Sequence, residues 1–317
     1  MKKILITRKL LPASEEYASK IFNVKFNKKD KILSKEELIS NSEDCDGILS
    51  SLTEKLDADT ISKLSNKVEI ISNFAVGFGN IDIKAAKKKN IVVTNTPDVL
   101  TDATAEIAML ILLGAARRAK EGINWVSKQN WKWSANFLMG KQLTGARLGI
   151  LGMGRIGRAV AEKARSFGMV IHYHNRSQLD NNLEKGAIYH KSLESLLSVS
   201  DFFSINCPAT KETKHIINKD TLNYFPDGAV VSNSARGDMI DDDAMVESLK
   251  KGKIYSLGID VYNGEPNIHP EYLSLPNVFV LPHLGSATIT TRTDMGNLAV
   301  ANMEEFFKTG KCKNIVN

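Results

Sequence analysis

Two α/β domains, each built on a parallel sheet, are what this sequence predicts, and three observations predict them. Short apolar runs of strand length alternate with helical periodicity over almost the whole chain. A glycine-rich turn, Gly152-Met153-Gly154-Arg155-Ile156-Gly157, joins one such run to a helical stretch near the middle. At 317 residues, with 43% hydrophobic and 25% charged side chains, the chain has the length and composition of two ordinary globular domains.

Taken in order, residues 3–7, 47–50, 69–72 and 91–94 read as strands, and 14–22, 35–40, 58–64 and 82–89 as the helices between them. Pro97 and Asp98 then interrupt the pattern, and Thr101 or Asp102 caps a helix over 103–119 whose apolar content implies burial between domains. The glycine turn sits in a full strand-helix-strand unit: a strand at 147–151, a helix at 159–167 stopped by Gly168, and a strand at 170–174. Further strands at 201–205, 229–232, 257–261 and 278–281 bring this second sheet to about six strands. A last helix, 288–307, is expected to return to the first domain. The expected division is therefore 1–99 with 288–317, and 100–287, with hinges near 97–101 and 285–288 and a substrate cleft between the domains.

Composition narrows the class. The longest apolar run, 107–116, falls short of the roughly 20 residues that cross a bilayer, and the basic N-terminus carries only a strand-length apolar stretch. A cytoplasmic protein without a membrane partner is expected. Cys45, Cys207 and Cys312 are far apart and the six histidines scattered, so no metal site is expected; His172 and His174 read as structural positions on one strand face. The net charge of +6 is spread along the chain, and the Lys87-Lys88-Lys89 cluster ends a helix. That is a solvated basic surface, not a nucleic-acid footprint, and it favours anionic ligands.

The glycine turn has the spacing of a dinucleotide fingerprint. Its first glycine permits a tight strand-to-helix turn, its second lets backbone approach a pyrophosphate, and its third lets helix pack on strand. The phosphates would rest on free N–H groups at the positive end of the helix dipole. The end of the next strand selects between nicotinamide cofactors: Asp or Glu there accepts from the 2'-hydroxyl of NAD, whereas arginine favours the 2'-phosphate of NADP. This chain has Asn175-Arg176-Ser177. NADP(H) is expected, with NAD(H) as the alternative.

Three polar residues follow the ends of later strands: Arg236, Glu265 and His283. In an open α/β sheet that edge is where ligands bind, so separate stretches converge on one crevice. Their types suit reduction of a 2-oxo acid. A protonated His283 would stabilise and protonate the developing alkoxide, Glu265 would fix the ring orientation, and the planar fork of Arg236 would grip a carboxylate.

The blocks Asn233-Ser234-Ala235-Arg236-Gly237, Asp260-Val261 with Gly264-Glu265-Pro266, and Pro282-His283-Leu284-Gly285-Ser286-Ala287-Thr288 resemble the signatures of the D-isomer-specific 2-hydroxyacid dehydrogenases. Residues 73–82 resemble that family's substrate loop, and 101–118 and 131–145 its glyoxylate/hydroxypyruvate reductase branch. The resemblance implies a Rossmann-type doubly wound sheet beside a smaller flavodoxin-like α/β domain. It implies Arg236 orienting substrate, His283 as acid/base and Glu265 as its partner. It further implies substrate carboxylate on the N–H groups of Val76 and Gly77, with Leu52 lining the pocket. Asp260 would meet the nicotinamide amide, Cys207 and Pro208 would pack near the adenosine, and Thr104, Ala235 and Gly285 would border the nicotinamide. A homodimer built around the long helix and residues 125–143 is implied too; Trp125, Trp131 and Trp133 suit an interface or a core. 2-Ketogluconate reduction and NAD-dependent D-3-phosphoglycerate oxidation are the alternative activities. The different class is a dinucleotide-sensing corepressor, for which the chain shows no long polar tail.

Overall fold

The computed structural model describes residues 1–317 and divides them into two compact units, residues 1–100 with 286–317, and residues 101–285. The first unit begins with β1 (Lys3–Ile6), α1 (Pro12–Ile21), β2 (Asn23–Phe26), α2 (Lys35–Ser42) and β3 (Gly47–Ser50). It continues through α3 (Ala58–Lys63), β4 (Ile70–Asn73), α4 (Ile83–Lys88) and β5 (Val92–Thr94). All its strands are parallel, in the order β2-β1-β3-β4-β5. Because side chains alternate across a strand, Ile4 and Ile6 face one core while Leu5 faces another, so both faces of the sheet are apolar and covered. Local chemistry starts the helices: Ser34 and Glu37 form a capping box on α2, and Asp57 and Asp82 cap α3 and α4. The strand β2 was not expected. It is a sheet edge, its polar Asn23 and Lys25 leave little apolar signal, and no residue of it is fully buried.

The second unit opens with α5 (Thr101–Ala116) and α6 (Ala119–Ser127). One helix over 103–119 was expected; the chain breaks instead at Arg118, whose φ of 55° is left-handed. Its guanidinium forks onto Glu121, with Nε–Oε1 at 2.9 Å and a second nitrogen on Oε2 at 2.6 Å, which fixes the break. There follow β6 (Arg147–Leu151), α7 (Arg155–Ser166), β7 (Val170–His174), α8 (Asn181–Glu184), β8 (Ile188–Tyr189), α9 (Leu193–Leu197), β9 (Phe202–Ile205) and α10 (Lys219–Leu222). Then come β10 (Ala229–Asn233), α11 (Asp242–Lys250), β11 (Ile254–Ile259), α12 (Pro270–Ser274) and β12 (Val278–Val280). The sheet has seven parallel strands in the order β12-β11-β10-β9-β6-β7-β8, one more than expected because the two-residue β8 pairs with β7. From β6 and β9 the chain winds outward in opposite directions, which makes the carboxyl ends of that pair the topological switch point. Residues 286–317 contribute α13 (Ile289–Thr309) to the first unit, capped by Thr288 and ended by Gly310.

The apolar helix α5 is buried against α7, β10 and β11, within its own unit. Gly258 lets it approach: a Cβ there would lie 2.2 Å from the Ile111 carbonyl oxygen. Since the obstacle is backbone, Gly258→Ala is expected to destabilise the protein by about 1–3 kcal/mol. Urea unfolding checks this, and an unchanged midpoint would remove the close approach as a constraint.

Candidate active site

The glycine turn occupies the switch point of the second unit. At Gly152, φ is +92° and a Cβ would lie 2.5 Å from the backbone nitrogen of Cys207, just beyond β9. A Cβ on Gly157 would lie 2.1 Å from the Gly152 carbonyl oxygen, so α7 is pressed onto the turn. Gly154, by contrast, has nothing within 4 Å of the Cβ position. Two glycines are thus spent on protein packing and the middle one faces open space, the pattern that suits backbone approach by a pyrophosphate. The helix α7 starts at Arg155, inside the fingerprint and four residues before the expected start, so Arg155 and Ile156 form its first turn. Met153 is buried.

At the end of β7 the Asn175 side chain turns back, and its Oδ1 accepts the Met153 N–H at 2.7 Å. Arg176 and Ser177 beyond it are exposed. No carboxylate stands among these three residues. The Glu212 carboxyl, held below the usual range chiefly by the Thr210 hydroxyl, also feels Arg176. Burial pushes the Cys207 thiol up to about 11, so it stays protonated, and the carbonyl of neighbouring Pro208 accepts from Thr213 at 2.9 Å.

Arg236, Glu265 and His283 come together at the carboxyl edge of the same sheet. Asn233, at the end of β10, donates from Nδ2 to the Arg236 carbonyl at 2.7 Å and accepts the Ala235 N–H on Oδ1 at 2.9 Å, which closes a tight loop. Gly237 presses that loop onto the next one, since a Cβ there would lie 1.9 Å from the Tyr262 carbonyl carbon. The half-buried Arg236 donates to the Ala235 carbonyl at 2.6 Å; burial lowers its pKa, while Glu265 and Asp238 oppose the shift. Its ordinary value is high enough for it to remain a cation.

Glu265 takes two partners. Oε1 accepts the Tyr262 N–H at 2.9 Å, and Oε2 lies 2.7 Å from Nδ1 of His283. Burial pushes this carboxyl up, but the hydrogen bond and charge of His283, the Tyr262 N–H and Arg236 together hold it below its ordinary value. With Nδ1 engaged, Nε2 of His283 is the ring atom left for other chemistry.

His283 itself is held in the left-handed region, at φ of 55°. Asp260 keeps it there: its carbonyl accepts the His283 N–H at 2.8 Å, and its carboxylate accepts Leu284 N–H at 2.7 Å and Gly285 N–H at 2.9 Å. The Gly285 carbonyl accepts from the Thr104 hydroxyl at 3.1 Å, which ties the loop to α5. Burial raises the Asp260 pKa, and the Leu284 N–H and His283 oppose this. Each carboxylate oxygen carries one protein N–H and keeps capacity for a further donor such as an amide. The sequence reading missed Asn233 and Tyr262, whose hydroxyl donates to the Leu281 carbonyl two residues before His283. Asn233 lay inside a motif already quoted; Tyr262 had no signal beyond standing next to Asp260-Val261.

In the first unit, Leu52 is 39% exposed on the loop after β3. On the same loop the buried Glu54 accepts from the Thr7 hydroxyl at 2.7 Å and from Ser51 and Thr53. On the loop after β4, the Ala75 carbonyl accepts from Thr96 at 2.9 Å and the Val76 carbonyl from the Asn95 side chain at 2.8 Å. In a trans peptide the following N–H points the opposite way, so the N–H groups of Val76 and Gly77 are aimed away from these anchors. No protein acceptor takes either of them.

Residues 109–285 match the family described as D-isomer specific 2-hydroxyacid dehydrogenase, NAD binding domain. The chain is 42% identical over 301 residues to a glycerate dehydrogenase of Hyphomicrobium methylovorum, covering 94% of each. It is 38% identical over 309 residues to a glyoxylate reductase of Thermococcus kodakarensis, covering 96% of this chain and 92% of the other. Its structure superposes with a TM-score of 0.89 on an NADPH-dependent glyoxylate/hydroxypyruvate reductase from Sinorhizobium meliloti crystallised with NADP and malonate, at 32% identity over 99% of this chain and 96% of the other. Family match, fold and signature blocks coincide, and the chain belongs to the D-isomer-specific 2-hydroxyacid dehydrogenases.

Proposed function

We propose that this enzyme reduces small 2-oxo acids, glyoxylate and hydroxypyruvate, to D-2-hydroxy acids with NADPH. The observation that carries the reading is the 2.7 Å His283–Glu265 pair, with Arg236 close enough to bear on Glu265, at the edge of the sheet that holds the glycine turn. The turn fits a dinucleotide, because Gly154 alone of its glycines leaves space at the Cβ position. Gly152 to Gly157 would hold the pyrophosphate, Cys207 and Pro208 the adenosine, and Thr104, Ala235, Asp260 and Gly285 the nicotinamide. When bound, the reduced nicotinamide supplies hydride.

The chain's own groups do the rest. Glu265 holds Nδ1 and so orients the ring of His283, whose Nε2 would hand a proton to the carbonyl oxygen as charge develops. Arg236 is the cation at this edge that would neutralise the substrate carboxylate. In the first unit, the N–H groups of Val76 and Gly77, with Leu52 on the loop after β3, are the groups proposed for substrate binding. Preference for NADPH is supported by the exposed Arg176 and by Asn175, a neutral side chain already engaged by Met153. The NADPH-dependent Sinorhizobium relative points the same way.

A homodimer fits the surface. Ile123, Val126, Trp131, Trp133 and Met139 are exposed, Trp133 at 81%, although Trp125 stacks edge-on against Phe137 within the chain. A second copy covering this stretch would bury them.

Three measurements test the site. His283→Gln is expected to lower kcat by about a hundredfold or more while NADPH still binds; intact turnover would refute the proton-donor role. Arg176→Ala is expected to weaken NADPH by about 1.5–3 kcal/mol and NADH far less, and equal losses for both cofactors would detach Arg176 from the 2'-phosphate. The Glu265 carboxyl, followed by NMR, should titrate below its ordinary value of 4.5 and move upward in His283→Gln. Because the folded-state value is the lower one, the pair contributes stability above the unfolded value and loses it as pH falls through the folded value. A Glu265 titration indifferent to His283→Gln would contradict the pairing.

A further inference from the structure

Three histidines meet at the edge strand β8, in the unit that carries the glycine turn. His172 and His174 alternate along β7, and His190 directly follows β8. Nδ1 of the buried His172 lies 2.9 Å from Nε2 of His190, whose Nδ1 meets the Ser195 hydroxyl on α9 at 2.7 Å. An imidazole–imidazole hydrogen bond needs one nitrogen that carries a proton and one that does not. The pair therefore holds when neutral or with one added proton, but a second proton sets the N–H groups of two cations against each other.

This pair is wired to the corner of the glycine turn. The strand β8 has only two residues, so the bonds of its neighbours matter to its attachment. The His190 N–H donates to the Tyr173 carbonyl at 2.8 Å, and the His190 carbonyl accepts from Nδ1 of His174 at 2.8 Å. The Tyr189 hydroxyl donates to the Asn175 carbonyl at 3.3 Å. On the other side, the His174 carbonyl accepts the Gly152 N–H at 3.0 Å and Asn175 Oδ1 accepts that of Met153 at 2.7 Å. His174 and Asn175 thus stand between β8 and the first two residues of the turn.

The surroundings do not welcome added charge. Burial lowers the His172 pKa below its ordinary 6.5, His190 and Arg147 add to the shift, and Asp201 opposes it. Burial lowers that of His190 as well, with His174 adding and Ser195 opposing. Arg147 on β6 forks onto Asp201 at 2.9 and 2.8 Å, so that carboxylate is already engaged. Glu194 on α9 is exposed and feels His174, and Lys191 is exposed beside His190. Since the folded values are the lower ones, detached rings take up protons that packed rings resist as pH falls below 6.5, and the attachment weakens over that range.

We infer that the His172–His190 pair is an acid-released latch: closed, it positions the Asn175 end of β7 for the cofactor, and its protonation frees β8 and lowers affinity for the dinucleotide. The inference rests on the reading of the glycine turn as the dinucleotide site and not on the choice of substrate.

The test compares the wild-type protein with the double variant His172→Gln/His190→Gln, whose amides can still pair but do not titrate. NADH is the probe, because a phosphate monoester such as the 2'-phosphate of NADPH itself titrates at about pH 6. Fluorescence titration is expected to show NADH affinity falling about tenfold from about pH 7.5 to about pH 5.5 in the wild type, and far less in the double variant. No fall in the wild type, or the same fall in both proteins, would overturn the latch. NMR of the wild type supplies a readout that no variant's folding can blur. The ring nitrogens of His172 and His190 are expected to titrate in two coupled steps, with the Asn175 amide signal moving alongside. Independent titration of the two rings, or an unmoved Asn175 amide, would also overturn it. A protein that binds no NADH at any pH removes the dinucleotide reading and the latch's effect on it, while the ring titrations still decide whether β8 is released by acid.

Discussion

A carboxylate buried at the end of a parallel strand is costly unless donors meet it, and Asp260 is met by two consecutive backbone N–H groups, Leu284 and Gly285, while its own carbonyl holds the N–H of His283. These bonds fix a left-handed histidine that has no reason of its own to stay there. The rest of the site follows from that loop. With the His283 backbone fixed, Nδ1 meets Glu265; with Gly285 fixed, its carbonyl reaches Thr104 on α5. Gly237 then brings the Arg236 turn against the segment that leads to Glu265. Asp260 therefore serves the geometry of the His283–Glu265 pair whether or not it also meets a cofactor amide.

Both units solve the same problem in the same way. A parallel sheet covered on both faces leaves only its carboxyl edge for ligands, and each unit has a switch point where strand order opens a crevice. In the second unit the crevice carries glycines, which suit a long ligand that must touch backbone. In the first it carries the charged side chains Arg8, Lys9, Asp30 and Arg292 together with hydroxyls. On the loop after β4, the N–H groups of Val76 and Gly77 are turned away from the anchored carbonyls that precede them.

Much of the fold was legible because buried parallel strands are short, apolar and bounded by turn residues. Residues 147–151 and 170–174 are strands over the range the pattern marks, and the glycine turn lies between them. The misses have physical causes. The strand β2 is a half-exposed edge and β8 is two residues long, so neither carries an apolar run. The break between α5 and α6 is set by one left-handed residue and a side-chain fork, which no periodicity reveals. In the site, Arg236, Glu265 and His283 were legible because polar residues past strand ends stand out against apolar runs. The clamp by Asp260 and the tether of Tyr262 were not, because both depend on how loops from different strands meet.

On the proposed function, the pair at this sheet edge delivers its proton to a 2-oxo acid held for hydride transfer in one handedness. Chiral analysis of the product formed from hydroxypyruvate and NADPH tests this most directly. D-Glycerate, formed in step with NADPH oxidation, is expected. L-glycerate, a racemic product, or no oxidation of NADPH would contradict it.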